Sequence, residues 1–140
     1  RECGVEPYLE TSGHRGNIRT VGAAMAILEH SGVRGAKALV DPIHIHKGGG
    51  SFADLAMLPQ GSIGVAHVND FSLAIDRAKL TDKDRRFPGD GEADLALFRD
   101  MVLRTGYRGY LSLELFIEDY GGKTVEEVAR HGLESIRKIF

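Results

Sequence analysis

The run Ile63-Gly64-Val65-Ala66-His67-Val68, followed by Asn69 and Asp70, reads as a buried strand whose carboxyl end turns polar at His67. Three other short apolar runs behave alike. Val5 to Leu9 leads into Glu10, Ala38 to Val40 into Asp41, and Tyr110 to Leu113 into Glu114. Each run is followed by a segment with helical spacing. Asn17 is the expected cap of a first helix with the stripe Ile18, Val21, Met25 and Leu28, ended by Gly32. Ser51 opens a short second one (Phe52, Leu55, Leu58) that Pro59 stops. Leu95, Phe98 and Val102 mark a third, from the turn Pro88-Gly89-Asp90-Gly91 to Gly106. Thr124 with Glu127 forms a capping box ahead of Val125, Val128, Leu133 and Ile136.

The order is β-α four times over, without a hairpin signal between successive strands. Such alternation predicts parallel strands joined by right-handed helical crossovers. Two closures are open to it. A doubly wound sheet binds its ligand at a switch point in strand order. A barrel of eight units needs about 250 residues, so four units make half of one. The polar residues choose between them. One acid at a strand end is explained by solvation or by a helix cap, but four successive strands ending in Glu, Asp, His and Glu predict a shared site at one barrel mouth.

Three carboxylates and an imidazole make a hard, oxygen-rich set. It suits Mn²⁺ first, then Mg²⁺ or Co²⁺, with Zn²⁺ also accommodated. Open coordination positions on such an ion polarise a carbonyl and its neighbouring hydroxyl, which points to a neutral polyol or keto-sugar.

Nearby polar residues carry alternatives. His44, three residues past Asp41, is expected in a loop, donating to a sugar hydroxyl or uncommitted. His46 and Lys47 precede Gly48-Gly49-Gly50, which reads as a mobile loop or, alternatively, a phosphate cradle. Asn69 and Asp70 either orient the His67 ring or form an Asx turn. Arg85 and Arg86, ahead of the Pro-Gly turn, reach a substrate oxygen or make surface salt bridges.

Composition excludes other classes. Eighteen basic against 20 acidic residues give a net charge of −2, so no basic surplus points to nucleic acid or an anionic membrane. No apolar run approaches the roughly 18 residues that span a bilayer. The single cysteine, Cys3, rules out an internal disulfide framework and fits a reducing, cytoplasmic setting.

The stretches Tyr8-Leu9-Glu10-Thr11-Ser12-Gly13, Val40-Asp41-Pro42-Ile43-His44, His67-Val68-Asn69-Asp70, Asp84-Arg85-Arg86-Phe87-Pro88-Gly89-Asp90-Gly91 and Gly106-Tyr107-Arg108-Gly109-Tyr110-Leu111-Ser112-Leu113-Glu114-Leu115-Phe116 resemble the xylose-isomerase-like TIM-barrel superfamily, in particular D-tagatose 3-epimerase-like sugar phosphate isomerases and epimerases. The resemblance runs from about Gly4 to the C-terminus. It implies that the four units are strands five to eight of a (β/α)8 barrel, with residues 1–140 the C-terminal half of a single domain. The chain is then a piece of a longer protein, or a half-barrel completed by association of copies.

The resemblance further implies metal ligation by Glu10, Asp41, His67 and Glu114, with Glu6 as fallback for Glu10. It implies substrate contacts from His44 and Arg85, with Arg86 as fallback. Thr11-Ser12 departs from the aromatic usual after the first Glu. The expected reaction is a metal-dependent isomerisation or epimerisation of a sugar or sugar phosphate through a cis-enediolate, with Glu10 and Glu114 moving the proton. A dehydratase or lyase acting on a keto-sugar or inosose would use the same ligands. A non-catalytic carbohydrate-binding protein would keep only the fold. An endonuclease would need further His ligands and a basic groove.

Overall fold

A computed structural model describes residues 4–14 and 16–140; Cys3 lies outside the described residues. Four strands, β1 (Tyr8–Glu10), β2 (Lys37–Val40), β3 (Ile63–Val68) and β4 (Leu111–Leu113), form one parallel sheet in the order β1-β2-β3-β4. A doubly wound sheet reverses its order at a switch point. Here the order follows the chain throughout, as in a barrel, and the four βα units are those of a partial (β/α) barrel.

Alternation along the strands separates two faces. Ala38, Val40, Ile63, Ala66 and Val68 are buried, and most join Ile43, Ile45, Leu55, Phe71, Leu80, Phe98 and Val102 in the apolar core. Each large side chain buried this fully stabilises the fold by about 1.5–3 kcal/mol. Leu39 and His67, of opposite parity, are only half-buried. The register slips between Ala38 and Leu39, whose partners are Ile63 and Val65, leaving Gly64 unmatched. Glycine is required there because a Cβ would stand 2.4 Å from the Tyr8 ring.

The helices are α1 (Val21–His30), α2 (Pro42–Lys47), α3 (Leu95–Arg104) and α4 (Val125–Ile139), with a 3-10 helix at Phe52–Met57. The third and fourth follow the sequence expectation, and Thr124 and Glu127 form the capping box. Ser51 also caps as expected, reciprocally with Asp54, but opens a 3-10 rather than an α-helix. Asn17 does not cap α1. The loop closes first, through Ser12 N–H donating to Ile18 O at 2.8 Å, and Thr20 Oγ1 accepts from Ala23 N instead.

The expected loop at His44 is helix α2. Asp41 Oδ1 accepts from the amides of Ile43 and His44 at 2.9 and 3.3 Å, Pro42 sets the first turn, and Gly48 closes it. The triglycine is neither a free loop nor a phosphate cradle. Its amides already donate to His44 O, His46 O and Ile45 O. A Cβ on Gly48 would fall 1.8 Å from Arg19 O, so that backbone crosses in contact. Among the described residues no helix is long and apolar enough to cross a membrane.

Candidate metal centre

Glu10 is the last residue of β1, Asp41 and Glu114 directly follow β2 and β4, and His67 is the penultimate residue of β3. Parallel pairing brings these four ends to one rim. One ligand atom from each lies within 4.8 Å of the others. His67 Nδ1 is 3.1 Å from Glu114 Oε2, 3.5 Å from Asp41 Oδ2 and 3.6 Å from Glu10 Oε1. Glu10 Oε1, His67 Nδ1 and Glu114 Oε2 are buried without a well-directed hydrogen bond, although they approach one another this closely. Buried ligand atoms converging in this way are what a coordinated ion requires. Three carboxylates and one imidazole fit a divalent cation.

The fallback ligand Glu6 is elsewhere. It is exposed, accepts from Tyr8 Oη at 2.9 Å and lies 3.8 Å from Lys37 Nζ.

The charges are mutually adjusted. Burial would raise the Asp41 carboxyl, but His67, Arg85, His44 and Asn69 hold it well below the usual carboxylate range. Burial lowers the His67 imidazole, and the Asp41 and Glu114 carboxylates more than offset this, raising it to about 9. Burial, then the charges of Asp41 and Glu114, push Glu10 up, against opposing pulls from His67 and Arg85. Burial pushes His44 down, and Arg85 adds to that against the pull of Asp41.

Asn69 is buried beside this group, donating from Nδ2 to Asp41 Oδ2 at 3.0 Å. It therefore orients Asp41 rather than the His67 ring. Asp70 serves the following turn, accepting from the amides of Phe71, Gly89 and Ala93.

Of the two arginines, Arg85 belongs to the site. Its side chain is 1% exposed, not on the surface. Nη2 lies 2.9 Å from Glu114 Oε2, 3.2 Å from Asp41 Oδ2 and 3.3 Å from His44 Nε2, and the Phe116 ring covers the guanidinium at 5.1 Å. Arg86 is exposed and donates to Asp90 O. His44 Nε2 is 3.8 Å from Glu10 Oε1, so His44 also reaches the cluster.

Three further residues, His14, Asp82 and Lys47, are given a role by no sequence motif. His14, in the loop after β1, places Nε2 3.3 Å from Asp82 Oδ1, and both meet His44. No spacing links residues so far apart in the chain. Lys47 Nζ donates to Ala78 O at 3.3 Å and to Leu80 O, tying the segment that precedes Asp82 and Arg85 to α2.

Residues 1–139 match the family model described as xylose isomerase-like TIM barrel. The chain is 31% identical over 131 residues, 91% of its own length and 45% of the relative's, to an inosose isomerase of Halalkalibacterium halodurans. A 64-residue stretch, 46% of the chain and 10% of the relative, is 42% identical to a 3-dehydroshikimate dehydratase of Pseudomonas putida. The solved structure of the IolI protein with a bound zinc atom matches with a TM-score of 0.89 at 26% identity, covering 97% of this chain and 49% of that one. The chain spans about half the length of the inosose isomerases it matches.

Proposed function

Because this chain belongs to the xylose isomerase-like TIM-barrel family, we propose that residues 1–140 form the C-terminal half of a single barrel domain and supply the metal centre of a sugar or sugar-phosphate isomerase or epimerase. The observation that carries this reading is the convergence of Glu10, Asp41, His67 and Glu114 from four strand ends. These four residues hold the cation, with Mn²⁺ the first choice for so oxygen-rich a set and Mg²⁺, Co²⁺ and Zn²⁺ alternatives. When bound, the cation supplies Lewis-acid polarisation of a carbonyl and its neighbouring hydroxyl.

The chain's own groups do the rest. Glu10, whose carboxyl is raised by burial, and Glu114 are the acid/base pair. One takes the proton from the carbon beside the carbonyl, giving a cis-enediolate. The other returns a proton to the opposite face, or a single glutamate carries it to the neighbouring carbon. The Arg85 guanidinium, beside Glu114 and Asp41, offsets negative charge as it develops. His44, neutral under its depressed pKa, hydrogen-bonds a substrate oxygen.

The test is solvent exchange. Keto-sugars and inososes incubated with the Mn²⁺-loaded protein in deuterated water should lose the proton next to the carbonyl, and chelation should stop the loss. No exchange with any of them would leave a non-catalytic carbohydrate-binding role. A second reading, dehydration, is favoured by the 64-residue match at 42% identity to a dehydratase. It begins with the same proton abstraction and is recognised by loss of water from the product.

A further inference from the structure

His14, His44 and Asp82 form a second group whose ligand-type atoms all lie within 4.8 Å of one another, beside the first. They come from three segments: the loop after β1, helix α2, and the 3-10 turn Asp82–Asp84. The His14 ring stands edge-on to His44, with centroids 5.3 Å apart and planes at 85°. His44 is buried, and its Nδ1 has no hydrogen-bond partner. Two imidazoles and a carboxylate are a borderline donor set, suited to Zn²⁺ or Co²⁺ rather than Mg²⁺.

Arg85 stands against a cation there. Its Nη1 donates to Asp82 Oδ1 at 2.5 Å, and its Nη2 is 3.3 Å from His44 Nε2. The same Nη2 reaches Asp41 Oδ2 and Glu114 Oε2 of the first group. One buried guanidinium therefore lies between the two groups and touches both. At the second group, which offers a single carboxylate, it fills acceptor sites an ion would need and repels that ion by its own charge, whereas the three carboxylates of the first group outweigh it. Unlike a metal, it cannot leave.

We infer that Arg85 takes the place of a second metal ion, as a fixed internal cation, and that His14, His44 and Asp82 are a latent cation site that opens when the guanidinium is removed. The inference rests on the proposed reading only in taking the Glu10 group as the first cation site.

Titration of the full-length protein with CoCl₂, read as bound cobalt per chain and by cobalt visible absorption, tests it. The wild type should bind one ion, Arg85→Met two, and Arg85→Met combined with His14→Ala one again. With Mg²⁺ the Arg85→Met variant should gain none. Should Arg85→Met not fold, Arg85→Gln, which keeps hydrogen bonding without charge, carries the same comparison. A variant that gains no ion, a gained ion that persists without His14, or a wild type that already binds two ions overturns the inference. A wild type that binds none sinks the first site and the proposed function. The latent site is then judged separately, by whether removing the guanidinium still brings in a His14-dependent ion.

Discussion

Asn69 donates from Nδ2 to Asp41 Oδ2 at 3.0 Å while its Oδ1 lies 3.3 Å from the Ile43 amide, so one buried amide fixes both a candidate ligand and the start of α2. Asp41 is committed on both oxygens, since Oδ1 caps the same helix. The carboxylate cannot swing away from the cluster without uncapping α2.

Replacing Asn69 with Leu, of similar size, keeps the packing and removes that donor. Cation affinity should fall about 10- to 100-fold, as for other residues that orient a ligand. The unmet polar groups should cost about 1–3 kcal/mol of stability. Isothermal titration and urea unfolding measure the two effects. Unchanged affinity would mean that Asp41 is held without Asn69.

The pH dependence follows from His67, lowered by burial but raised further by Asp41 and Glu114, from 6.5 to about 9. A group raised on folding contributes stability fully present below its unfolded value. In the metal-free protein that contribution is therefore lost as pH rises from 6.5 through about 9. Cation binding must displace the same proton, so affinity should climb with pH across this window, by about tenfold per unit. Calorimetry near pH 8 in two buffers of different ionisation enthalpy should show about one proton released per ion. No release would remove His67 from the ligand set.

Glu114→Gln should abolish exchange of the substrate's carbon-bound proton with solvent and leave substrate binding detectable. Nuclear magnetic resonance in deuterated water follows the first, and titration the second. Full turnover by this variant excludes Glu114 as an acid/base group.

Two glycine substitutions should differ in sign. Gly48→Ala drives a methyl to 1.8 Å from the Arg19 carbonyl and should destabilise by about 3 kcal/mol, because both sides of the clash are backbone. Gly22→Ala, in the first turn of α1, meets only Met57 Cε at 3.7 Å and should stabilise by about 0.5 kcal/mol. Chemical denaturation of both variants provides the comparison.

Three strands and the longer helices are legible because their signals are local, whereas β1 keeps only Tyr8 and Leu9 of the run Val5 to Leu9 and adds Glu10, Pro7 having no amide to give the sheet. The β3 run was read with both its ends correct, and the Thr124–Glu127 box marked α4 at its cap. The same holds for the four strand-end donors, since parallel pairing converts sequence position into a common rim. What escaped was short or non-local. Helix α2 has six residues, nearly all buried, and so shows no amphipathic stripe, although Asp41, Pro42 and Gly48 are a cap, a first-turn residue and a stop. Without a stripe to mark the helix, His44 reads as loop and the triglycine as free, although both belong to α2 and its C-terminal turn. The sequence around Asn69 offers it only the nearby His67 ring or an Asx turn, whereas its partner Asp41 is 28 residues away in sequence and reached only through the sheet. His14 and Asp82 meet through two irregular segments, where no periodicity operates.

Because each of the four donors rides on a different strand, their meeting depends on how far every strand has slid along its neighbour. A slip of one residue moves a chain by about 3.3 Å and turns its side chains to the opposite face. Such a slip would carry Glu10, Asp41, His67 or Glu114 out among the helices and dissolve the cluster. An ion gripping all four would thus act as a gauge of correct alignment, rewarding only the properly threaded sheet.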